Sequence, residues 1–153
     1  MAGTWFLARV KYEKTLENGM RKKVTEQYLM EALSFTEAEA RTIEELTPYI
    51  SGEMKVVGLN PMNLNEVWPS DSDEADKWYK IKSNFITLNE KSGCEKKTAF
   101  VSLIQSSSTS QAEKDFNERM KGTLADYVVE GVVETKIMDV YPYNLERETE
   151  ETR

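Results

Sequence analysis

The residues with the strongest claim to chemistry in this chain are cations and aromatic rings that recur in pairs. Gly19-x-x-Lys22-Lys23 and Gly93-x-x-Lys96-Lys97 repeat one pattern, a glycine followed at fixed spacing by two lysines. A glycine turn exposes backbone N–H groups and the adjacent ammonium groups add positive charge, so two such sets could clamp phosphates. Arg9 and Lys82 recur in the same way, each near a tryptophan, Trp5 or Trp78, on which a base could stack. The same residues also have plainer uses. Lysines at hairpin ends keep sheet edges soluble, and paired aromatics fill a core.

Other chemistry is excluded by composition. The 153 residues include no histidine, so Ser-His-Asp and Cys-His machinery is absent, as is any imidazole proton shuttle. The single cysteine, Cys94, forms neither an internal disulfide nor a structural zinc site. It lies near Lys96 and Lys97 but has no basic partner for nucleophilic catalysis. Asp71, Asp73, Glu74 and Asp76 offer oxygens to calcium without the glycine and terminal glutamate of an EF-hand loop, so they read as a linker. A binding protein without cofactor or metal is expected, not an enzyme.

The elements that must position these residues follow from an internal repeat. Trp5, Arg9 and Tyr12 correspond to Trp78, Lys82 and Phe85, 73 residues on. With one residue inserted, Gly19, Lys22, Lys23 and Leu29 correspond to Gly93, Lys96, Lys97 and Leu103. Thr36, Ala38 and Glu39 then match Ser110, Ala112 and Glu113; Gly58 matches Gly131; Val67-Trp68-Pro69 matches Val140-Tyr141-Pro142. In each copy an alternating strand (residues 4–14 and 77–90) leads to a glycine turn and a returning strand (22–32 and 96–106). A helix follows, over 38–46 behind a Thr36–Glu39 capping box and near 110–121. Extended segments complete each copy, 53–59 and 64–68 in the first and 126–141 in the second.

The fold class expected is α+β: tandem duplicated ββαβ(β) units related by a pseudo-twofold axis, with antiparallel sheet and two helices. The domains are a first repeat over 1–69, an acidic linker over 70–76, a second repeat over 77–143 and an acidic tail over 144–153. Across the midpoint, strands from 53 to 106 followed by the second helix also read β-β-β-β-α, the element order of duplicated single-strand-binding modules.

The net charge of −7 is unevenly placed. Residues 70–76 carry −4 and residues 144–153 carry −2, leaving a body of −1 that does not repel anions. No apolar run approaches the roughly 20 residues needed to span a bilayer. The start, Met1-Ala2-Gly3-Thr4-Trp5, lacks the basic and apolar regions of a secretory signal. A cytoplasmic protein with no membrane association is expected, and self-association into a homo-oligomer is compatible with these features.

Glu17-Asn18-Gly19, Lys22-Lys23-Val24-Thr25-Glu26, residues 33–40 and residues 47–53 carry a resemblance that covers nearly the whole chain. In the second half it continues through Trp78-Tyr79-Lys80, Glu95-Lys96-Lys97, Lys121-Gly122-Thr123 and residues 137–143. The chain resembles an uncharacterised family of small proteins from gut anaerobic bacteria and their phages and mobile elements. That resemblance implies no catalytic residue. It implies a context, an accessory protein of a phage or mobile element. Two binding functions fit it: sequestering a nucleotide-like small molecule such as an immune signal, or binding single-stranded nucleic acid. A protein–protein adaptor or inhibitor is the third.

Overall fold

The computed structural model describes residues 3–123 and 126–143; the acidic tail and Met1-Ala2 lie outside the described residues. In chain order these form β1 (Thr4–Thr15), β2 (Arg21–Ala32), α1 (Phe35–Leu46), a 3-10 turn (Thr47–Tyr49), β3 (Met54–Met62) and β4 (Glu66–Trp68). The order then repeats as β5 (Lys77–Leu88), β6 (Glu95–Ser106), α2 (Thr109–Met120), β7 (Asp126–Glu134) and β8 (Ile137–Tyr141). The fold is mixed α+β, with two four-stranded sheets and one helix on each.

Local sequence explains most of these elements. In β1, Phe6, Ala8 and Val10 alternate into the core against half-buried or exposed neighbours. Gly19 and Gly93 close the two hairpins at φ of 83° and 72°, the left-handed region that favours glycine. The first helix begins three residues before its expected start, whereas the second begins at Thr109, beside the expected residue 110. The N-caps are Ser34 and Ser108, whose hydroxyls accept from the N–H groups of Glu37 and Gln111 at 3.1 Å. Thr36 therefore lies inside the first turn, because a serine two residues upstream already satisfies the orphan donors.

The sheet order is β3-β1-β2-β8 in one sheet and β4-β6-β5-β7 in the other. Within each, the three long strands pair antiparallel, and a short fourth strand joins in parallel, β8 on β2 and β4 on β6. The compact units accordingly cross the repeat boundaries expected at residues 69 and 77. Unit 1 takes the described residues up to Asn63 together with those from Ile137 onward, and unit 2 spans Leu64–Lys136. Residues 126–141, read as one extended segment, are two strands in different sheets. The β-β-β-β-α order likewise divides, since β3 belongs to the first sheet and β4, β5 and β6 to the second.

Link length dictates this exchange. In unit 1, β3 is antiparallel to β1, which is antiparallel to β2, so β3 and β2 point the same way. The free edge of β2 takes a strand parallel to itself. For β4 to fill that edge, in the same sheet as the β3 strand before it, the chain would need a crossover of about a dozen residues. Residues 63–65 are all that separate β3 from β4, and residues 135–136 all that separate β7 from β8.

Equivalent contacts hold the added strands. Tyr143 N–H donates to Glu31 Oε1 at 2.8 Å, and Ser70 N–H donates to Gln105 Oε1 at 3.0 Å, at the matching place. Asn65 fixes the start of β4 by exchanging two bonds with the Val101 backbone, at 2.7 and 2.8 Å.

The two helix-facing cores differ in content. Unit 2 packs Tyr79, Ile81, Ile104, Ala112, Phe116 and Met120 with half-buried Trp68, Phe85, Phe100 and Tyr127 around them. Phe116 anchors this cluster, its ring 5.9 Å from Trp68 and 5.7 Å from Tyr127. At the equivalent helix position unit 1 has Thr42, fully buried, its hydroxyl donating to Ala38 O at 2.7 Å.

Candidate functional site: a basic face on the first sheet

Strand alternation decides which predicted residues meet. In β1 the even-numbered residues face α1, so Trp5, Leu7, Arg9, Lys11 and Glu13 project from the opposite face. The antiparallel register brings Lys23 beside Glu13 on that face, and Lys55 of β3 directly beside Lys11. Lys22 departs from its neighbour: it lies on the helix side, opposite Lys14. Lys22 and Lys23 therefore cannot grip one phosphate together from the sheet surface, because adjacent strand residues point apart.

The same division holds in unit 2. Lys82 and Lys97 leave the face opposite α2, where Lys97 sits beside Ile86, while Lys96 is on the helix side opposite Thr87. All four lysines of the repeated motif are exposed at the turn ends of their hairpins. The expected stacking role of Trp78 is corrected by its burial: 3% of its surface is exposed, so no ring face is open to a base. Trp5 is half-buried.

Unit 1 collects more positive charge than the sequence pairs suggested. Arg9, Lys11, Lys23 and Lys55 share one face of three adjacent strands, with Glu13 beside them. Neighbouring strands lie about 4.8 Å apart and same-face residues about 7 Å apart along a strand, so these groups are mutual neighbours. Lys11 and Lys55 are a like-charge pair directly across the ladder, an arrangement that destabilises a sheet. Among the described residues none of the four cations forms an ion pair. Arg9 lies over Gly58, where an added Cβ would come within 2.7 Å of its Nε, so the glycine leaves room for the guanidinium to lie flat on the sheet.

An open groove of about 700 Å³ is lined by Lys11, Glu13, Lys23 and Lys55 of this face together with Glu53 and with Tyr12 and Met54, which alternate to the helix side. Its size suits a small organic ligand. In unit 2 the positions of Lys11 and Lys55 hold Asn84 and Val128, so the cation pair is particular to unit 1. Lys11 and Lys55 escape a search for repeats because they do not repeat. A smaller hollow of about 370 Å³ in unit 2 carries Asp71, Asp115 and Glu118 beside Arg119 and has no comparable basic character. No group of His, Cys, Asp and Glu suited to a metal ion occurs among the described residues, and no helix there is long and apolar enough to cross a membrane.

Fold and site together define a two-unit α+β protein with a basic, grooved face on one sheet. The chain belongs to the family described as Domain of unknown function (DUF4494), whose model matches residues 4–143. No curated protein and no solved structure matches the chain.

Proposed function

We propose that the chain is a non-catalytic binding protein that sequesters a nucleotide-like, phosphate-bearing ligand on the basic face of unit 1. One observation carries this reading: Lys11 and Lys55 stand directly opposite each other in the groove, with Arg9 and Lys23 on the same face and no ion pair to any of them among the described residues. A like-charge pair costs stability unless an anion lies between its members, and phosphate oxygens are suited to that place. Holding such a ligand needs oriented cations and a groove, and no general base.

The accompanying proposals concern origin. A phage or mobile-element protein acting in the cytoplasm against an immune signal agrees with the chain's resemblance and its lack of histidine. Tandem duplication agrees with Gly19 and Gly93 in matching turns, and with Arg9 opposite Gly58 where Lys82 stands opposite Gly131.

The test is calorimetric titration with inorganic pyrophosphate, ADP and a cyclic dinucleotide. Binding weakened at least tenfold by Lys11→Ala with Lys55→Ala, and unchanged by Lys96→Ala with Lys97→Ala, is expected. A flat response to all three probes removes the reading. Single-stranded nucleic acid is the second reading, favoured by four cations spread over three adjacent strands. It requires oligo-dT affinity falling with salt at a logarithmic slope of about −2 to −3, since each neutralised phosphate contributes about −0.7. A protein adaptor or inhibitor, either monomeric or self-associated, remains the reading if neither class of probe binds.

A further inference from the structure

The helix side of unit 1 holds a second constellation, on the sheet face opposite Lys11, Lys23 and Lys55. Tyr12 of β1, Glu26 and Tyr28 of β2 and Tyr141 of β8 all project there, and all are half-buried. The phenols of Tyr12 and Tyr28 both donate to Glu26 Oε1, at 2.5 and 3.1 Å, and the Tyr141 ring lies 6.4 Å from that of Tyr28. Glu26 Oε2 receives no protein donor among the described residues, and the carboxylate has no ion pair there.

The matching positions of unit 2 show what a purely structural solution looks like. They hold Phe85, Phe100, Ser102 and Trp68, with Phe85 and Phe100 in edge contact at 5.0 Å and Trp68 6.4 Å from Phe100. Unit 1 thus places a carboxylate where its counterpart places a phenyl ring. Partly burying a carboxylate without a counter-charge is unfavourable, and two neutral phenols compensate it incompletely. Tyrosine faces carry negative potential that attracts cations, and hydrogen bonding of their hydroxyls to a carboxylate strengthens it.

We propose that this cluster binds a small organic ammonium ion, with Glu26 as its counter-charge and the rings of Tyr12, Tyr28 and Tyr141 as its walls. Exposed Asp139 shares the face, beside Tyr28 in the register. Lys14 and Lys22 project from the same face two residues nearer the turn than Tyr12 and Val24. They repel extended polycations and basic peptides, which leaves a compact monocation as the ligand. Glu45 contributes little attraction because Arg41 lies 3.8 Å from it.

Tyr12 borders both sites, but their charged groups lie on opposite faces of the sheet, so Lys11→Ala with Lys55→Ala tests the phosphate groove and Glu26→Gln tests this cluster. The probe is tetramethylammonium chloride, titrated against sodium chloride at constant ionic strength while the tyrosine ring resonances are followed by NMR. Wild type should show saturable shifts with tetramethylammonium and none with sodium. Glu26→Gln, which can still accept from both phenols, should bind at least tenfold more weakly, while Glu130→Gln, which removes an exposed carboxylate of unit 2, should bind within threefold of wild type. Absence of saturation, equal response to sodium, or undiminished binding by Glu26→Gln overturns the proposal. Should Glu26→Gln fail to fold, phenol ionisation in wild type decides. A bound cation stabilises phenolate, so tetramethylammonium must lower the ionisation midpoint relative to sodium, and an unmoved midpoint refutes the site.

Discussion

Truncating Phe116 to alanine tests how differently the two units are built. The side chain is fully buried under α2, with Trp68 at 5.9 Å and Tyr127 at 5.7 Å edge-on, and Tyr79, Ile81 and Ile104 of the sheet in the same cluster. Removing the ring forfeits its transfer free energy and leaves a cavity that its rigid neighbours fill only partly, at a cost of about 3–5 kcal/mol. Against a total stability of roughly 5–15 kcal/mol that is a large fraction. At roughly 2–4 °C per kcal/mol for a chain of this size, the melting temperature should fall by roughly 6–20 °C. The equivalent change in unit 1, Thr42→Ala, removes one methyl and one hydroxyl bonded to Ala38 O, at a cost of about 1–2 kcal/mol. Urea unfolding followed by tryptophan fluorescence is the assay, because Trp68 and Trp78 both report on unit 2. If Phe116→Ala costs no more than Thr42→Ala, the assignment of unit 2 as the apolar anchor is wrong.

Alkaline titration is expected to show late tyrosines. Burial, then the hydrogen bond and charge of Glu26, push Tyr12 up to about 12; burial, then the charge of Asp139, push Tyr141 up to about 12; burial and Glu26 raise Tyr28 as well. Because the folded values are raised, the stability these phenols confer is fully present below their ordinary 10.0 and is lost as pH climbs toward about 12. Absorbance at the phenolate band should show Tyr12→Phe removing one late-titrating group, and an unchanged late fraction would contradict the Tyr12–Glu26 bond. Gly58→Ala should destabilise more than Gly131→Ala, since an added Cβ meets Arg9 at 2.7 Å in the first case and nothing within 4 Å in the second. Arg9→Ala should abolish the difference in a double-mutant cycle, and additive effects would rule out the contact. Ser34→Ala and Ser108→Ala should each cost about 1 kcal/mol by loss of an N-cap, measured by chemical unfolding, and a neutral result at either would place that cap elsewhere.

Part of the candidate site was legible in the residues themselves. The repeat frame paired Arg9 with Lys82 and Lys23 with Lys97, and in each unit these two cations do share one sheet face. It also grouped Lys22 with Lys23, which the pleat separates, and presented Trp78 as an open ring, which burial denies. Lys11 and Lys55 had no partner in the repeat and no motif, and only the β1–β3 register sets them side by side. Glu26 reads in one dimension as an ordinary strand carboxylate. Its two phenol donors come from residues 12 and 28, and only the hairpin register puts both within reach of one oxygen.

What the sequence determined by itself is whatever depends on near neighbours: alternating strands, glycine-closed hairpins, serine-capped helices, and the absence of imidazole chemistry. These follow from backbone sterics and short-range hydrogen bonds, which a window of a dozen residues contains. The tertiary structure alone decided where β4 and β8 pair. They are short, 3 and 5 residues, and their own periodicity is too brief to choose a partner. Parallel pairing in the sheet of the strand that precedes each of them would require crossovers that links of three and two residues cannot span, so β4 joins the sheet of β6 and β8 the sheet of β2.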